Sequence, residues 1–128
     1  MPRGGTWLAL AGAAVLSAGC GAQGGGGTPA DQVPKDAQVV HVTATDWKWQ
    51  LDRTSVQAGR PVDFVVQSKE GTHGFSIVGT NISQAVTAGD APVHVVWTPE
   101  HPGRYVIRCD IFCGAGHDDM FTSITVTP

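Results

Sequence analysis

Basic residues are scarce in this chain. Eight Lys and Arg stand against eleven Asp and Glu in 128 residues, a formal net charge of -3 with histidine neutral. They form no patch or stripe, so the electrostatic footprint of a nucleic-acid binder is missing. Long apolar runs are equally rare: beyond residue 19 nothing approaches the roughly 20 consecutive apolar residues that a membrane-spanning helix needs. No segment sustains the i, i+3, i+4 apolar spacing of an amphipathic helix. The glycine run Gly24 to Gly27 has no strand before it and no helix after it, which excludes a phosphate-cradling loop. Sulfur is sparse too, with three cysteines and two methionines. Two of those cysteines and the only methionine beyond Met1 nevertheless fall within twelve residues, Cys109 to Met120.

The N-terminus reads as an export signal. Arg3 supplies positive charge, and Trp7 to Gly19 carries none; as a helix that stretch rises only about 20 Å, short of a hydrocarbon core of roughly 30 Å. The segment LSAGC, Leu16 to Cys20, resembles a bacterial lipoprotein signal, in which the cysteine becomes the acylated first residue. Ser17 stands where that signal usually has an aliphatic residue, with Leu16 one place further back. The resemblance implies lipid attachment at Cys20, membrane association through that lipid, and residence on the outer face of the cytoplasmic membrane or in the periplasm. Ordinary signal cleavage nearby, or an uncleaved N-terminal anchor, are the alternatives. Residues 1–19 are thus expected to be a signal peptide and residues 20–38 a flexible Gly-rich tether. After Cys20 the tether has almost no apolar side chains and an expected span of roughly 25 Å. A single folded domain, residues 39–128, follows.

That domain has period two. Val40, Val42 and Ala44 alternate with polar neighbours, and the apolar phase then slips to Trp47, Trp49 and Leu51, which predicts a bulge near Asp46 within one strand. Val62, Phe64 and Val66 are expected to face inward. So are Val93, Val95 and Trp97, then Tyr105, Ile107 and Cys109, and finally Ile124 and Val126. Turn signals such as Ala58-Gly59-Arg60-Pro61 and Lys69-Glu70-Gly71 separate these runs. The fold class expected is all-β, an antiparallel β-sandwich.

The stretch CDIFCGAGHDDM, residues 109–120, carries the chemistry. A disulfide between Cys109 and Cys113 would suit an exported protein, but so small a loop gains little from closure, and His117 and Met120 would be coincidental. Two Cys and two His, with His73 as the fourth ligand, would suit tetrahedral zinc. A thioether is a poor zinc ligand and a familiar weak ligand of copper, so Met120 favours copper. A mononuclear copper site of the one-thiolate, two-imidazole, one-thioether kind needs a single cysteine. The second cysteine argues for two bridged ions. A nucleophilic cysteine with a histidine base lacks any specified acid–base partner.

The order Cys-x3-Cys-x3-His-x2-Met, with HGFSIVGTNI and PGRYVIRC upstream, resembles the CuA domain of cytochrome c oxidase subunit II, most closely in the ba-type branch of the haem-copper oxidases. The resemblance covers about residues 39–128. It implies a Greek-key cupredoxin sandwich in which Cys109 and Cys113 bridge two coppers, His73 and His117 each bind one, and Met120 and the Ile111 carbonyl are weak ligands. It implies electron transfer without substrate turnover by this chain alone, from a donor such as a c-type cytochrome to the catalytic subunit of a membrane haem-copper oxidase. Many members of that family have Glu where this chain has Ile111 and use it to bind magnesium at that subunit contact. A copper-delivery protein and a structural zinc module are the competing readings.

The remaining residues of interest read more plainly. His41, His94 and His101 lie on outward phases or in a turn and are expected at the surface. Trp47 and Trp49 are expected to pack at the core or its edge, with a partner-docking surface as the sharper alternative. Asp118 and Asp119 are expected to be solvated loop charges that could steer a cationic donor.

Overall fold

The structure is a computed structural model that describes residues 26–128. The export signal and Cys20 lie outside the described residues. Among the described residues nine strands form two sheets: β1 (Gln38–Thr45), β2 (Lys48–Leu51), β3 (Ser55–Gln57), β4 (Val62–Ser68), β5 (Thr72–Ile77), β6 (Ser83–Thr87), β7 (Val93–Trp97), β8 (Gly103–Cys109) and β9 (Phe121–Thr127). One sheet has the order β2-β1-β4-β7 and the other β3-β9-β8-β5-β6. The chain passes between sheets repeatedly, as a Greek-key sandwich does. Among the described residues no helix is long and apolar enough to cross a membrane.

The core is the set that period two selects. Val40, Val42, Ala44, Val62, Phe64, Val66, Val95, Ile107, Cys109, Ile124 and Val126 are all buried, from both inner faces. Aromatic rings tie the layers together: Phe64 meets Phe75 at 5.2 Å between centroids, and Trp49 meets Phe75 edge-on at 5.6 Å, separations typical of favourable ring pairs.

Three sequence expectations are corrected here. The phase slip at Asp46 is a hairpin turn and no bulge: β1 and β2 are separate strands paired antiparallel, Thr45 opposite Lys48. A tight turn and a bulge both invert the inward phase, so alternation alone does not tell them apart. The sheets are mixed instead of antiparallel, since β1 runs parallel to β4 and β3 parallel to β9. Strand direction leaves no trace in alternation, because side chains alternate faces either way. His94 is half-buried instead of a surface residue, its Nδ1 2.9 Å from a carboxylate oxygen of the buried Asp63.

The part of the tether that is described makes specific contacts. Ala30–Gln32 forms one 3-10 turn, and the Thr28 amide donates to the His94 carbonyl at 2.7 Å, on β7 at the edge of its sheet.

Candidate metal centre

One end of the sandwich gathers the sulfur and imidazole groups. β5 and β8 pair antiparallel with Phe75 opposite Cys109. His73, two residues before Phe75, therefore comes beside the end of β8 where the loop 110–120 departs. His73 lies inside β5 and is fully buried. The loop is closed at its base by the Cys109 amide donating to the Met120 carbonyl at 3.1 Å, and anchored to β5 by the Asp110 amide donating to the Gly74 carbonyl at 3.1 Å. Its far end is wound by a 3-10 turn, His117–Asp119, which returns the chain to β9.

This arrangement brings all six candidate residues of the folded domain to one place. The sulfurs of Cys109 and Cys113 are free and lie 3.2 Å apart, well beyond a disulfide bond length of about 2.05 Å. The Ile111 carbonyl oxygen is 3.0 Å from Cys109 Sγ. His117 Nδ1 is 3.4 Å and Met120 Sδ 3.8 Å from Cys113 Sγ. A ring nitrogen of His73 and both cysteine sulfurs lie mutually within 4.8 Å. Cys109 and Met120 are each 1% exposed, so those two sulfurs are dry, while Cys113 is half-buried. Of the other histidines, His41 pairs with Asp52 and His94 with Asp63, and neither belongs to the cluster.

The donor set fits a soft metal ion, and one atom tests that fit. His73 Nε2 is 2.7 Å from the Glu70 carbonyl and 3.3 Å from an Asp46 carboxylate oxygen. Both are acceptors, so Nε2 carries the hydrogen and Nδ1 presents its lone pair. Nδ1 is buried and has no hydrogen-bond partner. A buried unpaired polar atom is costly, and here it sits on a histidine beside two thiols, a donor set that suits a soft metal ion. Burial pushes the Cys113 thiol up to about 12, helped by Cys109 and by the charge of Asp46. Ion binding at these sulfurs therefore releases protons.

Two contacts that the sequence did not indicate hold the loop in shape. Trp47, 38% exposed, lies across it and donates from Nε1 to the Cys113 carbonyl at 2.8 Å. A Cβ on Gly114 or Gly116 would stand 2.7 Å from the indole, closer than carbon atoms approach. The two glycines thus serve the tryptophan's close approach, and Gly114 also adopts φ 127°. Gly74 is bare for a similar reason, since a Cβ there would run into the Asp110 carboxylate and Ile111. Trp49, in contrast, is core, edge-on to His73 at 6.2 Å. Phe112 projects outward, 81% exposed, 5.6 Å from the His117 ring.

No protein-family model matches the chain. Over 95 residues it is 35% identical to cytochrome c oxidase subunit 2 of Thermus thermophilus, covering 74% of this chain and 70% of that protein. Against a second protein of the same name, from a particular strain of that species, the identity is again 35% over 95 residues, and the chain spans 56% of that relative's length. A chain of a heme-copper terminal oxidase dimer solved by cryo-electron microscopy superposes with a TM-score of 0.64 at 31% identity, over 73% of this chain and 66% of that one. The periplasmic domain of subunit II of cytochrome oxidase from Bradyrhizobium japonicum superposes with a TM-score of 0.67 over 75% of this chain and 88% of that one; at 16% identity this is a likeness of fold.

Proposed function

The chain belongs to the cytochrome c oxidase subunit II family, and from that premise we propose that its cupredoxin domain is an electron-transfer module with a dinuclear copper centre. It takes electrons from a donor such as a c-type cytochrome and passes them to the catalytic subunit of a haem-copper oxidase. The observation that carries this reading is the pair of free sulfurs 3.2 Å apart, with His73 within 4.8 Å of both and His117 3.4 Å from Cys113 Sγ. One cysteine suffices for one copper; two adjacent sulfurs with two imidazoles near them suit two.

In this reading Cys109, Cys113, His73 and His117 would hold the copper, with Met120 and the Ile111 carbonyl as weaker ligands. Bound copper supplies a reversible one-electron couple. The protein supplies rigidity: a ligand loop closed by backbone hydrogen bonds at its base and covered by Trp47 resists movement when the charge changes. Burial of His73, Cys109 and Met120 keeps water from those ligands. Exposed Ile111, Phe112 and Phe121 make the surface beside the loop apolar, and that is the face offered to the oxidase. The chain is exported and acts at the outer face of the cytoplasmic membrane, held there by lipid at Cys20.

Metal analysis with redox titration of the purified protein tests the proposal. Two coppers per chain and a stable, reversible one-electron couple are expected. One zinc per chain, or copper surrendered to weak chelators without a stable couple, would overturn it in favour of a structural zinc module or a delivery protein.

A further inference from the structure

Two turns from different parts of the chain converge on one nitrogen of His73. The turn after β4 presents the Glu70 carbonyl at 2.7 Å from Nε2, and the turn between β1 and β2 presents the Asp46 carboxylate at 3.3 Å from the same atom. The first contact is held in place by Ser68, whose hydroxyl donates to the Glu70 and Gly71 carbonyls at 2.8 and 3.0 Å. The second depends on a glycine. Gly71 has φ 67°, and a Cβ there would stand 3.1 Å from Asp46 Oδ1 and 3.5 Å from His73 Nε2. The space between carboxylate and imidazole is thus kept clear. His73 is fully buried, while the Asp46 side chain is 37% exposed, so the carboxylate is hydrated on one side and faces a dry imidazole on the other.

We propose that Asp46 is a positioning residue that sets the reduction potential of the copper centre through His73; the inference rests on the copper reading above. The Glu70 carbonyl accepts the Nε2 hydrogen and fixes the tautomer; a carboxylate beside that nitrogen makes the imidazole a stronger donor by polarising the N–H. Its full negative charge also favours the oxidised centre, which is the more positive of the two states. The Glu70 carbonyl orients the same ring but carries no net charge. Asp46 is therefore the adjustable part of the pair, and it lowers the potential.

Asp46→Asn in the full-length chain, near-isosteric and in an exposed turn, separates these roles. Copper content is expected to stay at the wild-type value while the midpoint potential in a spectroelectrochemical titration rises. At a fixed redox poise the reduced-to-oxidised ratio increases about three- to tenfold, the size of effect one partly screened charge has on a neighbouring equilibrium. In the metal-free protein the His73 Nε2–H proton resonance moves upfield, because the neighbouring charge that polarises the N–H is gone while its bond to the Glu70 carbonyl stays. An unchanged or lowered potential in the copper-loaded variant, or an unmoved Nε2–H resonance, overturns the assignment. A protein that takes up no copper overturns the functional reading instead, and the metal-free resonance still decides whether Asp46 holds His73.

Discussion

Gly116→Ala isolates the contact between Trp47 and the ligand loop. Gly116 has φ -94° and ψ 12°, a conformation open to alanine, so the substitution strains no backbone. Its nearest obstacle is the indole, three of whose atoms would stand 2.7 Å from the new Cβ. The ring must leave the loop. Trp47 is 38% exposed, so about 150 Å² of its surface is covered, taking roughly 250 Å² for a whole side chain. Losing a third to a half of that cover costs about 1–2 kcal/mol at ~25 cal/mol/Å². The broken bond from Nε1 to the Cys113 carbonyl adds about 1 kcal/mol. Restricting the unfolded chain by replacing glycine returns about 0.4–1 kcal/mol. The net cost expected is thus on the order of 1–2 kcal/mol.

In a Trp47→Ala background the obstacle is gone and only the entropic gain remains, so the same substitution is expected to stabilise by about 0.4–1 kcal/mol. The sign reverses, with a coupling of roughly 2 kcal/mol, inside the range seen for residues in contact. Urea unfolding of the metal-free, reduced protein, followed by far-UV circular dichroism, measures all four corners of the cycle. Gly114→Ala is the control: its φ of 127° leaves backbone strain of about 1–3 kcal/mol whether or not the indole is present. A Gly116→Ala cost that is the same in both backgrounds, within about 0.5 kcal/mol, would refute the account.

Cys113→Ser is expected to lower copper binding below two ions per chain and abolish the mixed-valence spectrum, because one bridging sulfur remains; metal analysis with electron paramagnetic resonance checks it. Met120→Leu should keep both coppers and shift the potential, since an axial thioether tunes more than it anchors, and should change stability by less than about 1.5 kcal/mol as a volume-conserving swap. Gly74→Ala places a methyl against Asp110 and within 3.0 Å of the Ile111 amide nitrogen; the expected loss is about 1–3 kcal/mol in a denaturant titration, with weakened copper uptake as the loop moves. Asp52 is held below the usual carboxylate range by its hydrogen bond from His41, so its contribution is present above about pH 4 and fades as pH falls through the lowered folded value. Asp52→Asn keeps the acceptor for the His41 amide, so at pH 6 it should cost under about 0.5 kcal/mol, given the exposure of the pair. That difference should vanish in acid unfolding curves, and a difference that grows as pH falls would contradict it.

Much of the domain was legible in one dimension because a half-buried strand writes its inner face into the sequence at every second residue. Val40, Val62, Phe64, Ile107 and Ile124 could be assigned to the core on that ground alone. β6 escaped because its buried positions are Gln84 and Val86, a phase with a polar member, and β3 because three residues carry too little alternation. The ligand loop was legible for a different reason: two thiols, an imidazole and a thioether at short spacing are improbable together without a shared task, and the loop lies between two readable strands. His73 was not fixed by any local signal, since a histidine between glycines is equally at home in a turn.

Alternation and short-range spacing are properties of the chain, and they were enough to specify the sandwich, most of its inner faces and the donor groups of the loop. Three-dimensional packing settled the rest: that β1 lies parallel to β4, that the slip at Asp46 is a turn, and that this turn lays Trp47 over Gly114 and Gly116 and sets Asp46 beside His73. Those contacts join residues dozens of positions apart, and a contact between distant positions is settled by which strands pair and in what register. Each of these residues alone carries no mark of its partner.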